Sequence, residues 1–284
     1  MNGVIVLLKK LIFCLILIII TLLFGCGKKS HLEIHVIDVG QGDSILIKTP
    51  NSQNILIDGG TNESENIVKS YLKKENVKSI DYLIATHPDS DHIGGLDAII
   101  NKFEIKSFYM PEQSVTSDAY ENLMSSCSEN NVSINYLYKG DNLKIEDYIN
   151  LFILSPSYIQ KDNNLNSIVF NLSFKNKSFL FTGDAEVSNE NEIINSFDLE
   201  DIDFLKIGHH GSKSSTTVDF LNAITPDVAV ISCGYKNQYG HPHKSTLDNL
   251  SDNNIATYRT DLSGDIVLYS DGDIIYTKKD YKID

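Results

Sequence analysis

The sequence predicts a layered α/β/β/α sandwich, two sheets packed face to face with helices outside them. Three observations carry this: short β-rich runs open the chain, helix-like stretches alternate with strands through its middle, and strand-like runs close it. No proline-rich or serine-rich linker divides the sequence. Its 284 residues, 42% of them apolar, therefore read as one large domain with a well-buried core.

Taken in order, residues 32–39, 44–48 and 54–57 read as a strand meander punctuated by Gly and Asp. Residues 63–74 are helix-like and residues 81–86 form the next strand, giving a β-α-β unit. Helices are expected at 96–101 and 118–129, with strands at 107–110 and 134–138. Three strands follow at 150–154, 168–174 and 178–181, the last two joined by a hairpin at Lys175-Asn176-Lys177. The rhythm then repeats as helix 190–197, strand 204–207, helix 216–223, strand 228–231 and helix 245–250. Strands at 266–269 and 274–277 close the fold.

Ahead of the domain, Lys9 and Lys10 precede an unbroken apolar run at 11–24, ending in Leu23-Phe24-Gly25-Cys26. A basic flank followed by an apolar stretch is a secretion signal rather than part of a fold. The competing reading is an uncleaved membrane helix, because with residues 4–8 the run approaches the length of about 20 residues that spans a bilayer. The last four residues resemble the lipobox of bacterial lipoproteins, which implies cleavage before Cys26 and lipidation of its thiol. The expected organisation is a leader at 1–25, a lipid-anchored tether at 26–31 and a single folded domain at 32–284, extracytoplasmic and held to the membrane by acyl chains. No second apolar run follows, so no channel of its own is expected.

Beyond the leader and Cys26 only Cys127 and Cys233 remain, which does not indicate a disulfide framework. One bridge between them and two separate buried thiols are both open, the second being the more ordinary outcome. The net charge is −14, and loss of Lys9 and Lys10 with the leader takes it to −16. Such a surface repels polyanions at long range and disfavours a non-specific nucleic-acid binder, while a local lysine cluster beside a metal could still grip one phosphate. The 14 tyrosines, with no tryptophan, read as packing residues rather than a base-stacking platform.

Six of the eight histidines fall in three pairs: His87 with His92, His209 with His210, and His241 with His243. Paired imidazoles beside carboxylates are typical of metal sites, whereas a lone histidine is usually a hydrogen-bonded core residue. The densest segment is Thr86-His87-Pro88-Asp89-Ser90-Asp91-His92-Ile93-Gly94-Gly95, directly after a predicted strand. A loop frees its imidazoles and carboxylates from strand or helix periodicity, so they can face one centre. Pro88 stiffens that loop and Gly94-Gly95 lets it turn into a helix. The mixed donors suit divalent zinc or manganese without choosing between them. The competing reading is an acidic loop with incidental histidines.

This segment resembles the His-x-His-x-Asp-His signature of the metallo-β-lactamase superfamily, with Asp89 where the second His usually stands. One branch shares the departure, the hydrolase domain attached to the ComEC competence proteins. Other segments are similar to that branch: His35-Val36-Ile37-Asp38-Val39-Gly40-Gln41-Gly42-Asp43-Ser44, Leu56-Ile57-Asp58-Gly59-Gly60, Phe181-Thr182-Gly183-Asp184, Gly208-His209-His210-Gly211-Ser212 and Tyr239-Gly240-His241-Pro242-His243. Together they cover nearly all of residues 32–284. The resemblance implies a metallo-β-lactamase-like four-layer sandwich and two divalent metal ions, His87 and Asp89 holding one, Asp91 and His92 the other, and Asp184 bridging both. For the last ligand His241 is the first candidate, and His209 and His210 stay open. No histidine lies between His92 and Asp184. The branch carries an Asn and Ser segment there, matched by Asn164-Leu165-Asn166-Ser167. Asn166 and Ser167 are accordingly expected at the substrate, with one ion loosely held.

The chemistry so implied is hydrolysis by a metal-bound hydroxide, with the two ions also stabilising an oxyanion. Asp91 would orient the water, and whichever of His209 and His210 is not a ligand would protonate the leaving group. Ser212 and Lys213 are candidate phosphate contacts, the competing reading being a polar helix cap before Thr216. Asp38 and Asp58 are expected to orient ligands from behind. The resemblance makes a phosphodiester, in DNA or a nucleotide, the expected substrate and a DNA-uptake channel a candidate partner. Lactone or β-lactam hydrolysis and a non-catalytic lipid-anchored binding protein are the alternatives.

Overall fold

The computed structural model describes residues 31–199 and 201–283. The expected leader, Cys26 and the tether up to residue 30 lie outside the described residues. The first half runs β1 (Leu32–Val36), β2 (Ile45–Lys48), β3 (Asn54–Ile57), α1 (Glu65–Lys74), β4 (Ser79–Ile80), β5 (Tyr82–Ile84), α2 (Ser90–Ile93), α3 (Leu96–Ile100), β6 (Glu104–Ile105), β7 (Phe108–Met110), α4 (Asp118–Glu129) and β8 (Ile134–Tyr136). An antiparallel run follows: β9 (Asn142–Glu146), β10 (Ile149–Ser155), β11 (Val169–Phe174) and β12 (Lys177–Phe181). Helices then alternate with parallel strands through α5 (Val187–Ser196), β13 (Phe204–Lys206), α6 (Val218–Ile224), β14 (Val228–Ile231), α7 (Lys244–Asp252) and β15 (Ala256–Arg259). After α8 (Thr260–Ser263), the strands β16 (Ile266–Ser270) and β17 (Ile275–Tyr276) return to the first sheet.

The first sheet has the order β17-β16-β1-β2-β3-β5-β7-β8 and the second β15-β14-β13-β12-β11-β10-β9, while β4 and β6 pair apart from both. Alternation along the strands sets the layers. Leu32, Ile34, Val36, Ile45, Ile47, Ile55 and Ile57 point between the sheets, where they meet Phe170, Phe174, Phe179, Phe181 and Phe204. Leu46, Leu56 and Leu83 point the other way, onto Val68 and Leu72 of α1, Leu96 of α3 and Leu123 of α4. On the far side Val169, Leu180, Leu205 and Ala229 meet Ile193 of α5, Phe220 of α6 and Leu250 of α7. Four layers result, as expected. Each fully buried side chain of this size contributes about 1.5–3 kcal/mol over leaving it exposed. A one-residue slip would exchange the two faces of a strand, so the register is strongly specified.

Helix α4 occupies the expected residues and begins at Ser117, whose side chain accepts from Tyr120 N. In the hairpin Phe174 pairs with Lys177, so its loop is Lys175-Asn176 alone. The sequence reading missed β9, whose residues 142, 144 and 146 are polar, and β15, a four-residue run directly after a helix. Cys127 and Cys233 are free and buried in opposite outer layers, the second of the two open outcomes. Burial pushes their thiols up to about 11 and about 12, which keeps them unreactive. Among the described residues no helix is long and apolar enough to cross a membrane.

In the parallel parts of both sheets the strands run the same way, so the loops leaving β3, β5, β12, β13 and β14 carry the residues of interest at the carboxyl ends of the strands, where open α/β sheets bind ligands.

Candidate metal centre

One side of the site is local. Asp58, at the end of β3 with φ 56°, is fully buried and accepts from Thr86 N at 2.7 Å, Thr86 Oγ1 at 2.7 Å and His92 Nδ1 at 2.8 Å. Having given its proton to Asp58, the Thr86 hydroxyl accepts from His87 Nδ1 at 3.1 Å. Both imidazoles are thus held with Nε2 as the bare nitrogen, the tautomer a metal ligand needs. The loop then starts α2 at Asp89, which places Asp91 and His92 in its short helical turn. Gly42 is required beside it: a Cβ there would lie 2.3 Å from the Asp91 carbonyl oxygen.

The other side is assembled from distant segments. After β12, Asp184 N donates to Ser167 Oγ at 3.1 Å, which fixes the start of that loop. After β13, His209 and His210 both adopt left-handed backbone, at φ 46° and 53°. That conformation costs roughly 1–2 kcal/mol per non-glycine residue and is typical of functional sites. His210 Nδ1 donates to the Ser232 carbonyl at 3.0 Å, with Asp43 Oδ1 at 3.5 Å, so here too Nε2 is left bare. Behind it the buried Lys206 ammonium meets Asp43 Oδ2 at 2.7 Å.

The bare nitrogens converge on Asp184. Its Oδ1 is 3.2 Å from His92 Nε2; its Oδ2 is 3.4 Å from His210 Nε2, 3.8 Å from His209 Nε2 and 4.0 Å from His87 Nε2. Asp91 Oδ2 lies 3.4 Å from His210 Nε2, and Asp89 Oδ2 lies 3.7 Å from His87 Nε2. Nε2 of His87, His92 and His210 and Oδ1 of Asp184 are buried without a hydrogen-bond partner. Orphaned polar atoms of this kind are costly unless something binds them. Two overlapping sets, His87 with His92 and Asp184, and Asp91 with His92 and His210, each bring their donor atoms close enough together to hold a divalent cation. The electrostatics agree. Burial pulls the His92 and His210 imidazoliums down, but the Asp184 charge and the carboxylate hydrogen bonds overcome it and hold both well above the usual histidine range. Burial works to raise Asp184, and His210 and His92 hold it well below the carboxylate range. The pocket demands positive charge.

Above this cluster opens a cavity of about 140 Å³ lined by Gln41, Asp89, Asp91, Asn164, Tyr239 and His241, among others. A larger surface cleft of about 480 Å³ beside Phe197, Asp198 and Asn222 is lined by no imidazole.

The structure brings together His87, Asp89, Asp91, His92 and Asp184, and of the three candidates for the last ligand it turns His210 into the cluster. His241, the first candidate in sequence, stands at the rim: its Nδ1 is 3.5 Å from Gln41 Nε2 and its ring centroid 6.3 Å from that of His210. Burial and the neighbouring His210 and His209 push it down to about 4. His209 is partly exposed, with Nδ1 3.3 Å from Glu186 Oε1. Asn166 and Ser167, expected at the substrate, are fully buried behind the site. The Asn166 amide donates to Gln113 and the Gln160 carbonyl and accepts from Gln160 N, while Ser167 supports Asp184. From that segment it is Asn164 that reaches the cavity, and Asn163 donates to Asp89 Oδ1. Ser212 bonds within its own turn, to Ser214, and Lys213 is exposed outside the cavity lining, while Thr217 caps α6. Asp58 orients His92 as expected; Asp38 instead accepts from Gly40 N and touches no histidine of the cluster. The sequence reading missed Asp43 and Lys206. Asp43 stood inside the segment from His35 to Ser44 that carries the resemblance, without a role of its own, and Lys206 showed only as a lone lysine in an apolar strand.

Comparison with known proteins accords with this geometry. The model of the metallo-beta-lactamase superfamily matches residues 37–235. ComE operon protein 3 of Bacillus subtilis is 32% identical over 89% of this chain and 35% of its own length. Recombination protein 2 of Haemophilus influenzae is 32% identical over 89% of this chain and 31% of its own. The chain therefore spans about a third of the length of these relatives. Among solved structures, the metallo-beta-lactamase fold protein YhfI from Bacillus subtilis aligns with a TM-score of 0.54 at 13% identity, covering 84% of this chain and 99% of that one. With the family model matching well over half of the residues and its expected His and Asp cluster assembled at the strand ends, the chain belongs to the metallo-beta-lactamase superfamily.

Proposed function

We propose that this hydrolase-family chain is a metal-dependent phosphodiesterase acting on nucleic acid or nucleotides outside the cytoplasmic membrane, where a lipid on Cys26 holds it. The observation that carries the reading is the convergence of the unpartnered Nε2 atoms of His87, His92 and His210 on Asp184, flanked by Asp89 and Asp91. Similarity to ComE operon protein 3 and Recombination protein 2 supports a DNA-related substrate.

His87 and Asp89 would hold one ion, Asp91, His92 and His210 the second, and Asp184 stands between the two sets. Zinc or manganese suits these donors equally. Bound there, divalent ions supply Lewis-acid polarisation of a phosphoryl oxygen and activation of water. The chain's own groups do the rest. Asp91 is the partly exposed carboxylate of the cluster interior; burial works to raise it, and His210 and His92 hold it at about 2. It stays ionised and can orient an attacking water. His209 faces the cavity through Nε2 and is backed by Glu186 and Ser214, the arrangement of a proton donor to a leaving group. His241, its ring centroid 5.6 Å from that of His209, and Gln41 continue the rim, placed to meet substrate oxygens.

The test loads the purified protein with manganese or zinc and offers bis-p-nitrophenyl phosphate and single- and double-stranded DNA, beside an Asp91→Ala variant. Metal-dependent cleavage lost in the variant is expected. Tightly bound metal with no cleavage of any phosphodiester would overturn the reading and shift it to carbonyl substrates, lactone or β-lactam, or to a binding role.

A further inference from the structure

Most tyrosines here pack, as Tyr71, Tyr82 and Tyr109 do against the cores. Two differ. Tyr235 and Tyr239 are 67% and 56% exposed on the loop between β14 and α7, and Tyr239 lines the cavity beside Asp184 and His209. Tyr136, Tyr148 and Tyr158 are exposed as well, but they belong neither to that loop nor to the cavity lining; Tyr235 shares the loop with Tyr239 without lining the cavity itself.

This loop is built rather than loose. The Asn237 side chain accepts from Tyr239 N at 3.1 Å and His241 N at 3.0 Å and donates to the Gly234 carbonyl at 2.9 Å, while Gly234 N donates to Gln41 Oε1 at 3.2 Å. One face of Tyr239 stacks on His241, ring centroids 5.7 Å apart at 24°. Lys236 Nζ lies 5.2 Å from the Tyr235 ring centroid.

Local charge sets the rim apart from the rest of the molecule. The chain has 38 acidic residues against 24 basic ones, yet residues 204–218 and 228–247 contain no Asp or Glu. These two segments touch at the cavity edge, where His243 N donates to the Gly211 carbonyl at 2.9 Å and Lys213 N to His243 Nδ1 at 3.1 Å. With a screening length of about 8 Å at physiological ionic strength, distant surface acids are largely hidden from a ligand on this rim. The acids that remain close, Asp89, Asp91 and Asp184 in the cavity and Glu186 beside Ser214, face the metal cluster, where bound cations would offset them, so the two acid-free segments can present a landing strip beside the site.

We infer that Tyr239 and Tyr235 form a stacking platform for single-stranded nucleic acid, seating bases next to the phosphodiester to be cleaved, with Lys213 and Lys236 meeting flanking phosphates. The cleavage half of this rests on the phosphodiesterase reading; the binding half stands apart from it. An open tyrosine face takes any unpaired base, whereas the bases of a duplex already stack on each other. The proposal reverses the sequence reading of the tyrosines at these two positions only.

The experiment measures binding of a labelled phosphorothioate oligothymidylate, which resists cleavage, to the full manganese-loaded chain by fluorescence anisotropy. Replacing Tyr239 or Tyr235 by Ala is expected to weaken binding from about fivefold to about a hundredfold. Tyr239→Phe should bind as wild type, and an abasic oligomer should bind weakly and be indifferent to Tyr239→Ala. Equal binding by the Ala variants, equal binding of abasic and thymidine oligomers, or no binding by the wild type would overturn it. Hydrolysis of bis-p-nitrophenyl phosphate reports the phosphodiesterase reading separately: base-dependent binding without hydrolysis would sink that reading and leave the platform standing.

Discussion

The two sides of the metal cluster are supported by different physics. His87 and His92 are held by a hydrogen-bonded carboxylate, Asp58, whose partners come from one neighbouring loop. His210 is held by a carbonyl and by Asp43, itself charge-paired with Lys206 at the heart of the sandwich. Burial works to raise Asp43, and the Lys206 ammonium with His210 overcomes it, keeping the carboxyl well below its usual range. A local support can be spoiled with limited damage to the fold. A buried ion pair spanning the two sheets cannot, because losing one partner strands the other.

The largest effect is expected where the two sides meet. Asp184→Asn keeps the shape but removes the charge shared by four imidazoles. Metal content measured by mass spectrometry should collapse, and activity should fall further than the about 10–100-fold typical of losing a supporting group. Retained metal would mean that the two sides bind independently. Next, Lys206→Met should cost about 3–5 kcal/mol in urea denaturation, and Lys206→Met with Asp43→Leu distinctly less. Asp58→Asn should instead lower metal affinity about 10–100-fold with a smaller stability loss. If the two single variants lose stability equally, the contrast between the two supports is wrong. Asn166→Ala should cost about 1–3 kcal/mol of stability by orphaning its buried partners, while KM for a phosphodiester stays put. A raised KM at intact stability would return Asn166 to the substrate.

The local side was also the legible side. His87, Asp89, Asp91 and His92 lie within six residues after a strand, so chain proximity alone brings them together. The layered fold was legible for a similar reason, since alternation marks each strand's two faces. The distant side was not. His210 and His241 sit on loops after adjacent strands, β13 and β14, and spacing cannot tell which turns inward; the left-handed backbone at His209 and His210 decides it. Asn164 and Asn166 belong to one tight helical turn that points the first into the cavity and the second behind it. The Asp43 and Lys206 pair joins residues 163 positions apart, a contact that only the packed sheets create.

The smallest effect tests whether buried charge recurs as a support on the distant side. Glu190 of α5 is buried and accepts from Thr216 N, from Thr217 N at 3.0 Å and from Thr217 Oγ1 at 2.8 Å, pinning the start of α6 just beyond the His209 and His210 loop. Burial raises its carboxyl and the Thr217 and Thr216 donors pull it back, leaving it above the ordinary glutamate value of 4.5. The folded state therefore keeps the proton to higher pH than the unfolded state does. Its contribution to stability is fullest below pH 4.5 and declines as pH rises through the raised folded value. Glu190→Gln lacks this titration, so the stability difference, wild type minus variant, should fall across that window and then level off. Denaturation of both proteins in chelator from acid to neutral pH reads it directly, because every other group titrates alike in the two. A difference that rises with pH would mean the three donors outweigh burial and that Glu190 is held ionised, like Asp43.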